Sequence, residues 1–364
     1  SYYIKTTDSA IKNTAGKTFA GINDTTTLNF STPASDGSVS PNPLYGAYAS
    51  DYLGVSISNT GDVNGDGYDD FIVSASGTNS AYVIYGSASG LGTYLDARSI
   101  AASKGFKMTG GLSAGYTVSG AGDVNGDGYA DMLVGTFYGG AYVVYGGSAM
   151  GNNVMLTDLT ANSGGFTIGY SGYGVANAAG DINGDGLADF ILGNYVVYGR
   201  IGRTNLDLSS GITPSDGFAV NFGRTVSSAG DVNGDGFSDL IVGYNDIKSS
   251  FVVYGNSTGT SVYLNNSTIA QGSGFKIYSA EVTNFGYTVS GAGDVNGDGL
   301  ADVMMYNGSS TYVVYGKTTS ATVNIDSAGN IVGTDGFKIL TTSGQIGSSM
   351  TAAGDINGDG IADM

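Results

Sequence analysis

The sequence predicts an all-β fold made of repeated four-stranded sheets. A nine-residue acidic motif occurs six times, successive copies start 50 to 63 residues apart, and the intervals contain short β-prone segments without helical periodicity. A strand-rich unit of this length is typical of one blade of a β-propeller. A β-solenoid is the alternative, but its rungs are usually shorter and lack hairpins.

Each unit contains the same segments in the same order. In the second unit, an alternating segment (114–123) precedes the motif and an apolar run (131–134) ends it. A stretch rich in Val and Tyr follows at 141–146, and Gly closes it. A fourth segment comes next, such as "TNLDLSS" at 204–210, and a "GF" segment such as 105–108 leads into the following unit. The pattern predicts four short strands per unit.

The repeats divide the chain into an N-terminal segment, residues 1–40, and a propeller, residues 41–364. We interpret the first segment as a linker or as the outer strand that completes a blade, because residues 25–40 resemble the inter-unit linker at 204–220. The predicted units are 41–104, 105–164, 165–216, 217–273, 274–335 and an incomplete 336–364. The sequence stops within the sixth unit, and we therefore expect it to be part of a longer chain.

The composition limits the possible chemistry. The chain has 364 residues, a net charge of −18, and no Cys or His. Disulfides and catalysis by Ser-His-Asp or Cys-His groups are therefore excluded within this chain. Of its 31 acidic residues only Glu281 is Glu, and positions 1, 5 and 9 of the six motifs hold 18 Asp residues, as many as the net negative charge. Such acidity argues against nucleic acid as a partner.

The motif supplies oxygen ligands at fixed positions. It reads Asp-x-Asn-Gly-Asp-Gly-x-x-Asp, so side-chain oxygens occur at positions 1, 3, 5 and 9, and position 7 offers a backbone carbonyl. Ca²⁺ accepts six to eight such oxygens in flexible geometry, whereas Mg²⁺ prefers stricter octahedral sites and Zn²⁺ favours His and Cys. The sequence therefore predicts about one Ca²⁺ per motif.

We number the motifs as loops 1 to 6, residues 62–70, 123–131, 181–189, 231–239, 294–302 and 355–363. The predicted ligands are Asp62, Asn64, Asp66, Tyr68 and Asp70 in loop 1; Asp123, Asn125, Asp127, Tyr129 and Asp131 in loop 2; Asp181, Asn183, Asp185, Leu187 and Asp189 in loop 3; Asp231, Asn233, Asp235, Phe237 and Asp239 in loop 4; Asp294, Asn296, Asp298, Leu300 and Asp302 in loop 5; and Asp355, Asn357, Asp359, Ile361 and Asp363 in loop 6.

Two other interpretations of the motif are weaker. An EF-hand needs Glu at position 12, and here that position holds Val73, Val134, Leu192, Val242 or Met305. A simple hairpin turn explains the Asn-Gly and Asp-Gly pairs. It does not require Asp at positions 1 and 9 of all six copies.

The whole pattern resembles the FG-GAP repeat of the integrin α-chain β-propeller. The segment "FGYTVSGAGDVNGDGLAD" at 285–302 is a close match, and the resemblance covers about residues 25–364. It implies a propeller, usually of seven blades, with calcium in the hairpin loops and an extracellular adhesion or scaffold role. Here every unit carries the motif and no disulfide exists, which is more similar to bacterial surface or secreted FG-GAP proteins.

These features predict a non-catalytic, calcium-stabilised extracellular module for adhesion, ligand binding, or surface or filament assembly. Its partner is expected to be a protein or glycan at the cell surface, or another copy of the chain, and no membrane span is predicted. The alternative function is a carbohydrate-active enzyme similar to polysaccharide lyases, or its sugar-binding propeller. No pair of acids outside the loops is convincing as a catalytic pair, and no cofactor other than Ca²⁺ is predicted.

Overall fold

The computed structural model is all-β, as the sequence predicts. It describes residues 44–46, 48, 50–88, 95–160, 164–172, 174–221, 225–244, 248–264, 269–270, 272–280, 285–340, 347 and 349–364. The predicted N-terminal segment, residues 1–40, lies outside this part of the chain. The only helices in the described residues are two single 3₁₀ turns, Ser76–Thr78 and Leu156–Asp158. None of the described helices is long and apolar enough to span a membrane.

The strands follow one another along the chain at regular intervals. They are β1 Leu44–Tyr45, β2 Leu53–Gly61, β3 Asp70–Ala75, β4 Ser80–Ile84, β5 Leu95–Asp96, β6 Gly105–Thr109, β7 Ala114–Gly122, β8 Asp131–Thr136, β9 Ala141–Val144, β10 Asn153–Met155, β11 Gly165–Gly169, β12 Ala176–Gly180, β13 Asp189–Leu192, β14 Tyr195–Val197, β15 Leu206–Asp207, β16 Gly217–Asn221, β17 Thr225–Gly230, β18 Asp239–Tyr244, β19 Ser249–Val253, β20 Val262–Tyr263, β21 Gly274–Ser279, β22 Thr288–Gly293, β23 Asp302–Tyr306, β24 Thr311–Val314, β25 Val323–Ile325 and β26 Gly336–Ile339.

Five antiparallel sheets of four strands form the body of the structure. Sheet 1 has the order β2-β3-β4-β6, and sheets 2 to 5 repeat this order with β7-β8-β9-β11, β12-β13-β14-β16, β17-β18-β19-β21 and β22-β23-β24-β26. The prediction of an all-β fold with repeated four-stranded sheets is confirmed. In the sixth repeat, the described residues form only an isolated bridge between Gly354 and Asp363.

The "GF" segment, not the segment before it, is the fourth strand of each sheet. In sheet 1 it forms β6, which pairs antiparallel with β4 through Val83 and Phe106. Its first residue must be Gly105, because a Cβ there would lie 2.0 Å from the Val83 carbonyl oxygen. The sheets therefore extend past the boundaries of the predicted units, since β6 begins where the unit 41–104 ends.

The predicted fourth segment instead connects neighbouring sheets. In the second repeat it forms β10, which pairs in parallel with β6 of sheet 1. The same parallel pairing joins β15 to β11, β20 to β16 and β25 to β21. These strands are only two or three residues long, and each adds a fifth strand to the preceding sheet. Sequence periodicity gives no signal for this pairing, because the partner belongs to another repeat.

The first strands of successive sheets pack against each other, β2 on β7, β7 on β12, β12 on β17 and β17 on β22. Together they surround a central cavity of about 980 Å³. Residues from every one of these strands and from the sixth repeat line it, among them Ser58, Ser119, Asn177, Ser227, Ser290 and Thr351. This radial arrangement is that of a β-propeller. No strand pairing within the described residues joins the sixth repeat to sheet 1, so the blade number stays a prediction.

The hydrophobic core lies between neighbouring sheets. In β8, Met132 and Val134 pack towards sheet 1, whereas Leu133 packs towards sheet 3. All three side chains are fully buried. The apolar run after each motif therefore lacks alternation because both faces of the strand are covered. Burial of a side chain of this size contributes about 1.5–3 kcal/mol to the free energy of folding.

Candidate metal centre

Motifs 1 to 5 each form the hairpin loop between the first two strands of their sheet, and the isolated bridge between Gly354 and Asp363 closes the sixth. Loop 2 joins β7 to β8, and its ninth residue, Asp131, pairs with Gly122 across the hairpin. All six loops lie within the described residues. Because the loops follow equivalent strands, they lie at the same end of their sheets.

The first Asp of the loop organises the backbone. In loop 2, the Oδ1 atom of Asp123 accepts hydrogen bonds from the N–H groups of Gly126 at 2.6 Å and Asp127 at 3.1 Å. Its Oδ2 atom accepts one from Gly128 at 2.8 Å. In all six loops the N–H of the fourth residue donates to Oδ1 of the first Asp at 2.6–2.7 Å. The loop is therefore wrapped around one carboxylate.

The third and fifth residues continue this wrapping. Asn125 Oδ1 accepts the N–H of Asp127 at 2.8 Å, and Asp127 Oδ1 accepts the N–H of Tyr129 at 2.9 Å. The amide of Asn125 also donates to Asp127 Oδ2 at 2.9 Å. Short side chains are required here, because each reaches a backbone group only two residues further along the chain.

In loops 1 to 5 the ninth Asp is buried and connects its loop to the end of the third strand. Asp131 is fully buried, and its Oδ2 atom accepts the N–H of Val124 at 2.9 Å. Its Oδ1 atom accepts the N–H of Gly146, just after β9, also at 2.9 Å. The glycine that closes each Val- and Tyr-rich strand therefore has a defined role, which the sequence did not reveal.

Burial changes the acidity of this carboxyl group. It raises the pKa of Asp131 to about 8, and the nearby carboxylates of Asp127 and Asp123 add to the rise. Burial also raises the pKa of the ninth Asp in the other four sheets. The value is about 7 for Asp189 and Asp239 and about 6 for Asp70 and Asp302. Without a cation these carboxyls are therefore costly to ionise.

The donor set fits Ca²⁺ in its chemistry. Three carboxylates, one amide oxygen and one backbone carbonyl are hard oxygen ligands of the kind that Ca²⁺ prefers. In the described part of the chain, however, no group of three or more His, Cys, Asp or Glu side chains is arranged to hold a metal ion. The carboxylate oxygens accept backbone N–H groups instead, although each carboxylate offers about four lone-pair positions.

Consecutive loops are bonded to one another through the backbone. The N–H of the eighth residue of one loop donates to the carbonyl of the first residue of the preceding loop, as Ala188 does to Asp123 at 2.9 Å. The corresponding bonds, at 2.8–3.0 Å, are Ala130 to Asp62, Ser238 to Asp181, Ala301 to Asp231 and Ala362 to Asp294. The six loops thus form one connected row.

Side chains at the seventh position reinforce this row. A Cβ built at Gly65 of loop 1 would lie 2.6 Å from the ring of Tyr129, and one at Gly126 would lie 3.0 Å from Leu187. The seventh residue, predicted only as a carbonyl ligand, therefore also packs on the preceding loop. A signal for this was present, because position 7 is always Tyr, Phe, Leu or Ile, and position 8 is small in five of the six copies.

Family models match three stretches that contain four of these loops. An FG-GAP-like repeat matches residues 62–134, and an FG-GAP repeat matches residues 222–263 and 285–323. The chain carries FG-GAP repeats. The matched stretches include loops 1, 2, 4 and 5, and loops 3 and 6 carry the same motif between and after the FG-GAP matches. No curated protein matches the chain.

Several solved structures resemble this chain at low identity. BBS1N in complex with ARL6DN, soaked with lead, has a TM-score of 0.34 and 8% identity, covering 79% of this chain and 93% of that chain. A lectin from Agrocybe aegerita, described as recognising non-reducing terminal N-acetylglucosamine, has a TM-score of 0.31 and 16% identity, covering 71% of this chain and 76% of that chain.

Proposed function

We propose that this chain is a calcium-stabilised extracellular binding module without catalytic activity. The observation that carries the proposal is the sixfold donor set, which folds the same way in every loop. In loop 2 the buried Asp131 shares its site with two further carboxylates, and a divalent cation would compensate their repulsion. Because consecutive loops are hydrogen-bonded, a cation that stabilises one loop also supports its neighbour.

The proposed extracellular location is consistent with the same chemistry. Extracellular modules bind Ca²⁺ with dissociation constants of about 10⁻⁴–10⁻³ M, which suffices where calcium is abundant. One site at a calcium concentration of about 100 times its dissociation constant adds about 2.7 kcal/mol to the free energy of unfolding. Several such sites would replace the disulfides that a chain without Cys lacks.

The acids outside the loops support a non-catalytic role. Asp207 Oδ1 accepts the N–H of Ser209 at 2.9 Å, and Asp326 Oδ1 accepts the N–H of Asn330 at 2.8 Å. Asp216 is hydrogen-bonded to the buried Arg203 at 3.0 Å. These carboxylates stabilise turns and a local ion pair, so none is assigned a catalytic role in the alternative function, a polysaccharide lyase-like enzyme. A turnover screen on plant and algal polysaccharides tests that alternative.

Thermal unfolding in calcium and in chelator tests the proposal. We expect the melting temperature to rise by more than 10 °C when millimolar Ca²⁺ replaces EGTA, and terbium luminescence to report binding. Asp123→Asn should reduce both effects, whereas Asp158→Asn, at an exposed acid outside the loops, should leave them unchanged. Equal melting temperatures in EGTA and in Ca²⁺ would show that the loops are hairpin turns only.

A further inference from the structure

Three aromatic side chains meet at the end of sheet 2 that lies opposite loop 2. Tyr116 lies near the start of β7, and Phe137 and Tyr138 directly follow β8. The Phe137 ring makes edge-to-face contacts, with centroid distances of 5.0 Å to Tyr116 and 5.2 Å to Tyr138. The three side chains are nevertheless 38%, 40% and 73% exposed in the order Tyr116, Phe137, Tyr138. We call them the aromatic turn cluster.

The turn that carries these rings is held in place by its own hydrogen bonds. The Thr136 hydroxyl donates to the Gly139 carbonyl at 2.6 Å, and the Thr136 N–H donates to the Gly140 carbonyl at 3.2 Å. The N–H of Phe137 donates to the Ser113 carbonyl at 3.3 Å. A ligand that binds here therefore meets rings that are already positioned, and little conformational entropy is lost on binding.

This end of the sheet also differs from the loop end in charge. Residues 110–113, 137–140, 170–172 and 174–175, which form it, contain no charged residue, whereas each loop has Asp at positions 1, 5 and 9. In a chain with a net charge of −18, an uncharged aromatic surface is distinctive. Charged ligands find no complementary group among these segments, so the cluster suits a neutral ligand.

The size of the cluster sets the size of the ligand. A Tyr or Phe side chain buries about 150–250 Å² when covered, so the exposed parts of three such rings amount to about 300 Å². A stable protein interface buries about 800 Å² per partner. The cluster is therefore too small for a protein footprint and matches one or two sugar rings.

We propose that the aromatic turn cluster binds a neutral oligosaccharide. The face of an aromatic ring is electron-rich and attracts the polarised C–H groups on the apolar face of a pyranose. The Tyr138 hydroxyl can exchange hydrogen bonds with sugar hydroxyls. This inference rests on the proposed binding function and identifies the class of ligand.

Sheet 5 provides a matched control for the aromatic turn cluster. Sheet 5 repeats the six residues 115–120 unchanged at 286–291, so Tyr287 is the counterpart of Tyr116. Tyr287 is 49% exposed, but the corresponding turn, residues 307–310, is "NGSS" and has no aromatic residue. Tyr287 thus reproduces one exposed ring without the cluster.

Affinity electrophoresis of the full chain in calcium buffer tests the proposal. The gels contain a neutral β-glucan, mannan or galactan, and a gel with alginate serves as the acidic comparison. We expect at least one neutral polysaccharide to retard the protein, and Tyr138→Ala to weaken this binding at least tenfold. Tyr287→Ala should be retarded like the unsubstituted chain. Both variants should keep its melting temperature, because both side chains are at the surface.

Three results would overturn the proposal. They are no retardation by any neutral polysaccharide, retardation by alginate alone, or equal binding by Tyr138→Ala and the unsubstituted chain. Dimers that sedimentation detects and Tyr138→Ala abolishes, without polysaccharide binding, would instead assign the cluster to a second copy of this chain. Calcium stabilisation is judged separately from melting temperatures in EGTA, so the two proposals fail independently.

Discussion

Loops 2 and 6 have nearly the same sequence but different surroundings. In both loops the backbone wraps around the first carboxylate, and the N–H of the fourth residue donates to its Oδ1 atom at 2.6 Å. In loop 2 the ninth residue, Asp131, is fully buried and also accepts the Gly146 N–H. In loop 6 residues 351–361 are all exposed, and Asp363 is only partly covered. The loop conformation is therefore a local property of nine residues, whereas burial of its last carboxylate depends on the rest of the sheet.

The largest contrast is expected when the ninth carboxylate is removed. Asp131→Ala leaves the buried N–H groups of Val124 and Gly146 without acceptors, which costs about 4 kcal/mol in total at about 1–3 kcal/mol per group. Asp363→Ala should cost about 1 kcal/mol, because Ile356, whose N–H it bonds, is at the surface. Urea unfolding in EGTA measures both values, and equal costs would contradict the comparison.

A smaller contrast is expected at the glycine before each loop. Gly122 has φ +71°, and a Cβ there would lie 2.6 Å from the Cβ of Ala188 in the next loop. Gly354 has φ +68° and no atom within 4 Å. Gly122→Ala should therefore cost about 3 kcal/mol, and Gly354→Ala about 1 kcal/mol from backbone strain alone. Urea unfolding in EGTA measures both losses in the free energy of unfolding. Equal losses for Gly354→Ala and Gly122→Ala would contradict the steric explanation.

The pH dependence of the calcium-free protein provides a third test. Because burial raises the pKa of Asp131 to about 8, the folded state holds a proton that the unfolded state releases near pH 4. Stability from this group is present below pH 4 and is lost as the pH rises towards 8. We expect the melting temperature in EGTA to fall between pH 5 and pH 8, and this fall to be shallower in Asp131→Ala but not in Asp363→Ala. A rise over that range would contradict the assigned burial.

The smallest effect is expected to be the same in both loops. Asn125→Ala removes one of the two acceptors of the Asp127 N–H, and Asn357→Ala removes the corresponding acceptor of the Asp359 N–H, while Asp123 and Asp355 remain as acceptors. Each N–H lies at the surface, so each substitution should cost about 1 kcal/mol or less. Urea unfolding should give equal values for the pair. A clear difference would show that even this local bond depends on the surroundings.

The sequence predicted the strands and loops because their signals are local. The repeat spacing located every hairpin loop, and the "YVVYG" pattern located the third strands. It did not show that Gly105–Thr109 completes sheet 1 or that Asn153–Met155 pairs with it in parallel. Those pairings join residues more than 20 positions apart, and no periodicity within either segment identifies its partner.

The candidate site was likewise predicted only in its local part. The ligand residue types and their spacing follow from nine residues. The burial of Asp131, the acceptor role of its Oδ1 atom towards Gly146 and the packing of Tyr129 on Gly65 depend on neighbouring strands and loops. The small residue at position 8 was visible in the sequence, but its meaning required the carbonyl of the preceding loop.

The bonds between consecutive loops join backbone atoms only. Ala188 and Asp123 are connected by an N–H and a carbonyl that any residue except proline at the donor position would supply. Every copy of the repeat therefore supplies both the donor N–H and the acceptor carbonyl of this hydrogen bond. Side-chain substitutions elsewhere do not remove either group. The fit of a new neighbour then depends on side chains, namely position 7 on the preceding loop and the apolar residues between the sheets.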